Sequence, residues 1–238
     1  GGVHLAALER EGILRSADGG ASWTPAGMPQ DTLSPIVSDI AFDRSVSDRA
    51  FALVEQRGLL GSTDGGATWM PVGTPDPRGP VAAGRLLAVH ARTKGWMLGA
   101  TESGTIVRTT DGGTRGSPVR KGEGAAAVLS LAADPTNPDV VYAGTESGAL
   151  ISTDFGVVWR SLSPALPGLA SVVAAAREPT GTAVYVFGEG VGMQRWMDGS
   201  PIPERVDTDL GGSTVPAIAT SRDGRDLYCI VTTTVHRY

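Results

Sequence analysis

Five glutamates recur at one point of a repeating sequence. Glu9, Glu55, Glu102, Glu146 and Glu189 stand 9, 9, 9, 8 and 9 residues before Asp18, Asp64, Asp111, Asp154 and Asp198, and Thr232 takes the sixth place. A ring of carboxylates would give one face a negative field that attracts cations or basic partners. The simpler reading is that each glutamate bonds the amides of its own hairpin, because duplication repeats a residue without any shared ligand. Asp39 and Arg85 are the charged residues near the entrances of otherwise apolar segments, and with the glutamates they make up the candidate binding face. Asp39 has the chemistry of a glycosidase acid, but such enzymes need two carboxylates flanking a cleft, and its sequence neighbours supply no second one. His4, His90 and His236 share no metal-ligand spacing, and no nucleophile elbow or phosphate-cradling loop is present. No catalytic residue, metal or cofactor is therefore expected. The single cysteine, Cys229, sits in an apolar stretch and reads as packing. Arg15, Arg108 and Arg195 each stand three residues before a repeated aspartate and read as strand-face residues able to pair between repeats.

The elements that must position these groups follow from the repeat itself. Ser16, Asp18, Gly20 and Trp23 recur as Ser62, Asp64, Gly66 and Trp69 and as Ser152, Asp154, Gly156 and Trp159, and in weaker form as Asp111 with Gly113 and as Asp198. The aspartates are 46, 47, 43 and 44 residues apart, the period of a propeller blade. Between them lie β-branched runs of four to seven residues punctuated by Gly, Pro and Asn, with no sustained helical period. Each unit accordingly holds four strands, A to D, with the box on the turn from C to D. The aspartate at the head of that turn can accept the following amides, the glycines allow positive φ, and the tryptophan covers the blade edge. These aspartates read as fold-makers ahead of a ring of catalytic acids.

The pattern Ser/Thr-x-Asp-x-Gly-x-x-Trp resembles the Asp-box, or bacterial neuraminidase repeat. It occurs in sialidases, sortilin-type receptor domains, xyloglucan-degrading glucanases and photosystem II assembly factors, all β-propellers. The Gly-Gly boxes and the run Val140-Val-Tyr-Ala-Gly-Thr-Glu-Ser-Gly148 look most like the last three groups. The resemblance implies an all-β fold, a single propeller of four-stranded antiparallel blades, and places the boxes at its periphery. A sialidase-type site would need an arginine triad, a Tyr/Glu nucleophile pair and an Arg-Ile-Pro motif, and the chain has no such motif.

Aligned on the aspartates, the chain reads as one domain over 1–238, with a partial blade at 3–28, full blades near 36–73, 81–119, 127–163 and 171–206, and a partial blade at 214–238. Six blades are expected, a seven-bladed or trimmed larger propeller being the alternative. Inner strands such as Leu131-Ala-Ala133 and Ala174-Ala-Ala176 are small and apolar, which argues for binding over catalysis. The connections at 24–35, 70–80, 117–124, 161–168 and 203–212 vary most, and variable loops on a rigid scaffold are where specificity is commonly placed. The expectation is a non-enzymatic scaffold for a protein, peptide or carbohydrate ligand, with a sialidase- or glucanase-like glycoside hydrolase as the alternative.

Composition sets the outer bounds. The chain of 238 residues has 33 glycines, about twice the usual share, 41% hydrophobic residues and a net charge of −5. It lacks the basic face of a nucleic-acid binder and any apolar run long enough for a transmembrane helix. A chain opening Gly1-Gly2-Val3 fits one whose leader has been removed, which would mean export, or one that was trimmed, which would mean nothing.

Overall fold

The computed structural model describes residues 2–8, 11–29, 35–55, 57–72, 86–90, 92–101, 104–120, 126–162, 168–188, 192–197, 200, 202–206, 215, 217–221, 224–231 and 234–237. The chain divides into two compact units, Gly1–Thr101 with Ile106–Pro118, and Glu102–Thr105 with Val119–Tyr238.

In the first unit, β1 (His4–Leu8), β2 (Gly12–Ser16) and β3 (Thr24–Pro25) form a three-stranded sheet. A four-stranded sheet follows from β4 (Val37–Phe42), β5 (Ala50–Val54), β6 (Gly58–Ser62) and β7 (Met70–Pro71). The next comprises β8 (Leu86–Val89), β9 (Met97–Ala100), β10 (Ile106–Thr109) and β11 (Ser117–Arg120), the last of which straddles the unit boundary. The second unit holds β12 (Val128–Ala133), β13 (Val141–Thr145), β14 (Gly148–Ser152) and β15 (Arg160–Ser161) in one sheet. Another contains β16 (Val172–Glu178), β17 (Gly181–Gly188), β18 (Gly192–Met197) and β19 (Glu204–Arg205). A three-stranded sheet of β20 (Ala217–Thr220), β21 (Leu227–Val231) and β22 (Thr234–Arg237) completes it. Every sheet is an antiparallel meander in chain order. The expectation of six complete four-stranded blades is corrected: among the described residues four sheets have four strands, while the first sheet has no strand A and the last no strand D.

Alternation explains the core. Strand β5 is apolar at every position and buried along its length, so its two faces serve two cores. Ala50, Ala52 and Val54 pack with Ile13 and Trp69 on one side, and Phe51 and Leu53 pack with Leu87, Val89 and Met97 on the other. Complete burial of the Phe51 side chain alone contributes about 2–3 kcal/mol. In the second unit Tyr142 and Ile151 meet Val173, Val184 and Trp196, while Phe187 and Met193 meet Val215 and Cys229. Strands β4 and β12 each carry a register shift, between Val37 and Asp39 and between Val128 and Ser130. A bulge of this kind re-aims the side chain beside it.

Candidate functional site

The box turns have a repeated geometry. Each hydroxyl of Ser16, Ser62 and Ser152 donates to Oδ1 of its aspartate at 2.7 Å and accepts the amide of Gly20, Gly66 or Gly156 at 2.8 Å. Thr109 does the same for Asp111 and Gly113 at 2.8 and 3.1 Å. Oδ1 of each aspartate then accepts the amide four residues on, from Ser22, Thr68, Arg115 or Val158, at 2.9 Å. The hydroxyls of Ser22 and Thr68 also donate to Oδ2 of Asp18 and Asp64. Hydrogen bonds to the ionised form lower a carboxyl pKa. The Ser22 hydroxyl leads in holding Asp18 far below the usual carboxylate range, and that of Thr68 leads in bringing Asp64 to about 2. The Arg115 amide leads in lowering Asp111. At Asp154 burial opposes the shift, but the amides of Val158 and Val157 and the Ser152 hydroxyl outweigh it. Carboxyls held ionised in this way are poor proton donors. Asp198 lies outside the described residues.

Of the candidate binding face, Glu9, Glu102, Glu189 and Arg85 lie outside the described residues. Glu55 donates its amide to the carbonyl of Ile36, just before β4. Glu146 is exposed, donates its amide to the carbonyl of Ala127, and accepts the Ala127 amide on Oε2 at 3.3 Å. Both glutamates thus tie the hairpin after strand B to the start of strand A in their own sheet. Asp39 stands beside the β4 bulge, where Oδ1 accepts the Ile40 amide at 2.8 Å and Oδ2 the Leu87 amide at 2.7 Å. Its carboxylate therefore joins the inner strands of two successive sheets. Burial pushes its pKa up to about 7 against the pull of those two amides. Among the described residues, no group of three or more His, Cys, Asp or Glu side chains could hold a metal ion. Cys229 is buried, and its burial raises the thiol pKa.

The three arginines before the boxes do different things. Arg15 donates to the Gly65 carbonyl in the next sheet at 3.0 Å. Arg108 lies over the Trp96 ring at 4.3 Å, a cation–π contact. Arg195 forks onto Glu178 and reaches Glu204 at 3.1 Å, and Tyr185 donates to Glu178 at 2.9 Å. Arg195 leads in lowering the Glu178 pKa, and burial leads in pushing Tyr185 up to about 12.

A second repeated element is not evident from residue type alone. The side chain that ends strand A organises the A-to-B turn. Asp43 accepts the Ser45 amide at 2.8 Å, His90 Nδ1 accepts the Arg92 and Thr93 amides at 3.2 and 2.8 Å, and Asp134 accepts the Thr136 and Asn137 amides at 2.7 and 2.9 Å. All three are buried. Asp134 also receives the hydroxyls of Tyr142 and, from the next sheet, Thr182. The signal was present in Asp43-x-Ser45 and Asp134-x-Thr136, the Asx-turn pattern, but His90 breaks the identity.

No family model and no curated protein matches the chain. Solved structures do. A GH74 enzyme of Niastella koreensis matches with a TM-score of 0.69 and 16% identity over 94% of this chain and 38% of that one. The GH74 xyloglucanase of Xanthomonas campestris matches with a TM-score of 0.65 and 18% identity over 98% and 41%. YCF48 bound to D1 peptide matches with a TM-score of 0.57 and 20% identity over 98% and 88%. An ancestral GH74 enzyme is covered over 33% of its length, so the chain spans 33–41% of these GH74 chains. At such identities the likeness shows the fold, an all-β propeller of small antiparallel sheets.

Proposed function

We propose that residues 1–238 act as one Asp-box propeller domain that binds a protein or peptide, or a glycan, without catalysis, through the variable D-to-A connections. The observation that carries this reading is the engagement of the inner-strand acid. Both oxygens of Asp39 hold backbone amides, which gives this carboxylate a structural task where a hydrolase would need it directed at substrate. Glu146 is likewise engaged with Ala127, as expected if the recurring glutamates close their own hairpins. The box residues then serve as turn staples, and the structure of YCF48 with a bound peptide is the precedent for peptide capture on this fold. Most of the connections assigned to binding lie outside the described residues, so the assignment rests on their variability and on the rigid blades that carry them.

The test is a screen of the full chain on peptide and glycan arrays, repeated with each of the five connections replaced in turn by a Gly/Ser linker. Binding that one replacement removes while the melting temperature holds supports the reading. A ligand indifferent to all five connections, or no ligand on either array, contradicts it. The second reading, a glycoside hydrolase, is favoured by one observation: a carboxyl held near pH 7 is well placed for general acid catalysis.

A further inference from the structure

The A-to-B turns of the second, third and fourth sheets share one backbone and differ in charge. In each, the residue ending strand A donates its amide to the carbonyl six residues on, Asp43 to Arg49, His90 to Trp96 and Asp134 to Val140, at 2.9, 2.9 and 3.0 Å. In each, the box residue after the aspartate donates to that same turn, Gly65 to Asp48, Gly112 to Gly95 and Phe155 to Asp139, at 2.7, 2.9 and 2.7 Å. These bonds fix which residues are equivalent. Ser45, Arg92 and Thr136 share one position, and Ser47, Lys94 and Pro138 a second. Thr68, Arg115 and Val158 share a third, four residues beyond the box aspartate. The third sheet therefore carries a cation at each of three positions that are uncharged in the other two. It also lacks their acids. Asp43 and Asp48, like Asp134 and Asp139, correspond to His90 and Gly95, which leaves Asp111 as the carboxylate among the described residues of these two turns.

The fold has no use for these charges. Arg92, Lys94 and Arg115 are exposed, and among the described residues no hydrogen bond or ion pair engages their side chains. Arg115 even replaces a useful group, because Thr68 at the same position donates its hydroxyl to Asp64 Oδ2. The backbone brings the three together. A Cβ on Gly95 would lie 3.0 Å from the Gly112 amide nitrogen, so the turn bearing Arg92 and Lys94 abuts the turn bearing Arg115. From the second sheet, Arg49 Nη2 would lie 3.7 Å from a Cβ on Gly112 and adds a further guanidinium beside them. Surface cations contribute little to stability in water, so their gathering at otherwise uncharged positions serves something outside the fold. We propose that this end of the third sheet is a docking surface for a short acidic segment of a partner protein, whose carboxylates pair with Arg92, Lys94 and Arg115. Arginine clusters recognise acidic motifs in this way, through charge-assisted hydrogen bonds. Three cations are few for a nucleic-acid backbone. A sugar finds no stacking platform, since Trp96 has Arg108 over its ring and His90 at its edge. The chain's net charge of −5 makes a local positive spot the place where an acidic partner is oriented on encounter. The surface lies where β8 ends, whereas the D-to-A connections proposed above as the binding face lead into the starts of the inner strands.

The probe is a rhodamine-labelled, end-capped peptide, Gly-Glu-Ser-Glu-Gly-Glu-Ser-Glu, titrated with the full chain at about 50 mM salt and read by anisotropy. Saturable binding that weakens as salt is raised is expected, and the same peptide with glutamine for glutamate should not bind. The variants Arg92→Ser, Lys94→Ser and Arg115→Thr install the residues that the second sheet uses on the same backbone. Together they should weaken binding about tenfold or more, the scale of three exposed ion pairs, and each alone about threefold. Arg160→Ser, on the exposed strand β15, makes the same charge change as any one of them and should leave the affinity unchanged. The triple variant should melt no lower than wild type, since Arg115→Thr supplies the hydroxyl that clasps the box aspartate; should it unfold, the three single variants carry the comparison. Failure to saturate overturns the proposal, whether the cations stay hydrated or an acidic stretch of this chain covers them. Equal affinity for the glutamine peptide, for the patch variants, or for Arg160→Ser and Arg115→Thr does the same. So does tighter binding of a sulfated oligosaccharide, or a concentration-dependent dimer that the triple variant dissolves, because the occupant would then be a glycan or a second copy. None of these outcomes depends on the D-to-A connections, so this surface and the proposed binding face can fail independently.

Discussion

Replacing Ser62 by alanine removes the hub of a box turn and leaves everything around it in place. The Ser62 hydroxyl makes two good hydrogen bonds: it donates to Asp64 Oδ1 at 2.7 Å and accepts the Gly66 amide at 2.8 Å. A third contact, from the Asp64 amide at 3.4 Å, is too long to count for much. Gly66 and Ser62 are both buried, so the amide orphaned by Ser62→Ala has no route to water. An unsatisfied buried N–H costs about 1–3 kcal/mol, and the lost bond to a carboxylate adds about 1 kcal/mol. The expected destabilisation is about 2–4 kcal/mol. Ser62→Thr should cost far less, because Thr109 occupies the same position in the third box and makes the same two bonds. The assay is the shift of the urea midpoint at unchanged slope.

Acid supplies a second arm. Asp64 titrates near 2 when folded, against an ordinary value of 3.8. The stability it contributes is therefore complete above about pH 4 and is lost as the pH falls towards 2. Ser62→Ala removes one of the donors that lower this pKa, so the acid-sensitive part of the stability should shrink. A cost below about 0.5 kcal/mol for the alanine variant, or a threonine variant as unstable as the alanine one, would refute the turn-staple account.

Three further outcomes follow. Asp39 binds its proton more tightly folded than unfolded, so wild-type stability should be fully present below about pH 4 and fall as the pH rises towards about 7. In Asp39→Asn that slope should flatten, whatever the variant's absolute stability, as thermal melts between pH 4 and 8 would show. Gly144→Ala should destabilise by about 1–3 kcal/mol, since its Cβ would sit 2.4 Å from the Ala170 carbonyl oxygen and 2.5 Å from Ser130 Oγ; a stability equal to wild type in urea would contradict that close approach. His90→Ala should cost about 1–2 kcal/mol by freeing the Arg92 and Thr93 amides, and His90→Asp should recover most of it, because Asp43 and Asp134 close the equivalent turns.

What the sequence made legible was whatever repeats in residue type. The boxes announce themselves because Ser, Asp, Gly and Trp each have a local task at a fixed spacing, and the strands between them follow from short apolar runs. The A-to-B turns escaped notice because Asp43, His90 and Asp134 perform one task with two chemistries. Contacts between sheets were out of reach for another reason. Asp39 is defined by the Leu87 amide 48 residues away, and Trp23 and Trp69 are the same residue in the same motif with opposite exposure. Neither fact is encoded locally. The incomplete first and last sheets are legible at 3–28 and 214–238, but box spacing counts repeats and does not say how they close into a ring.

The central claim, that this propeller binds without hydrolysing, is tested most directly by reducing-end release from xyloglucan, comparing wild type with Asp39→Asn. The account predicts release from neither protein above the buffer blank. Turnover by the wild type that Asp39→Asn abolishes while remaining folded would contradict it and make Asp39 the acid of a hydrolase.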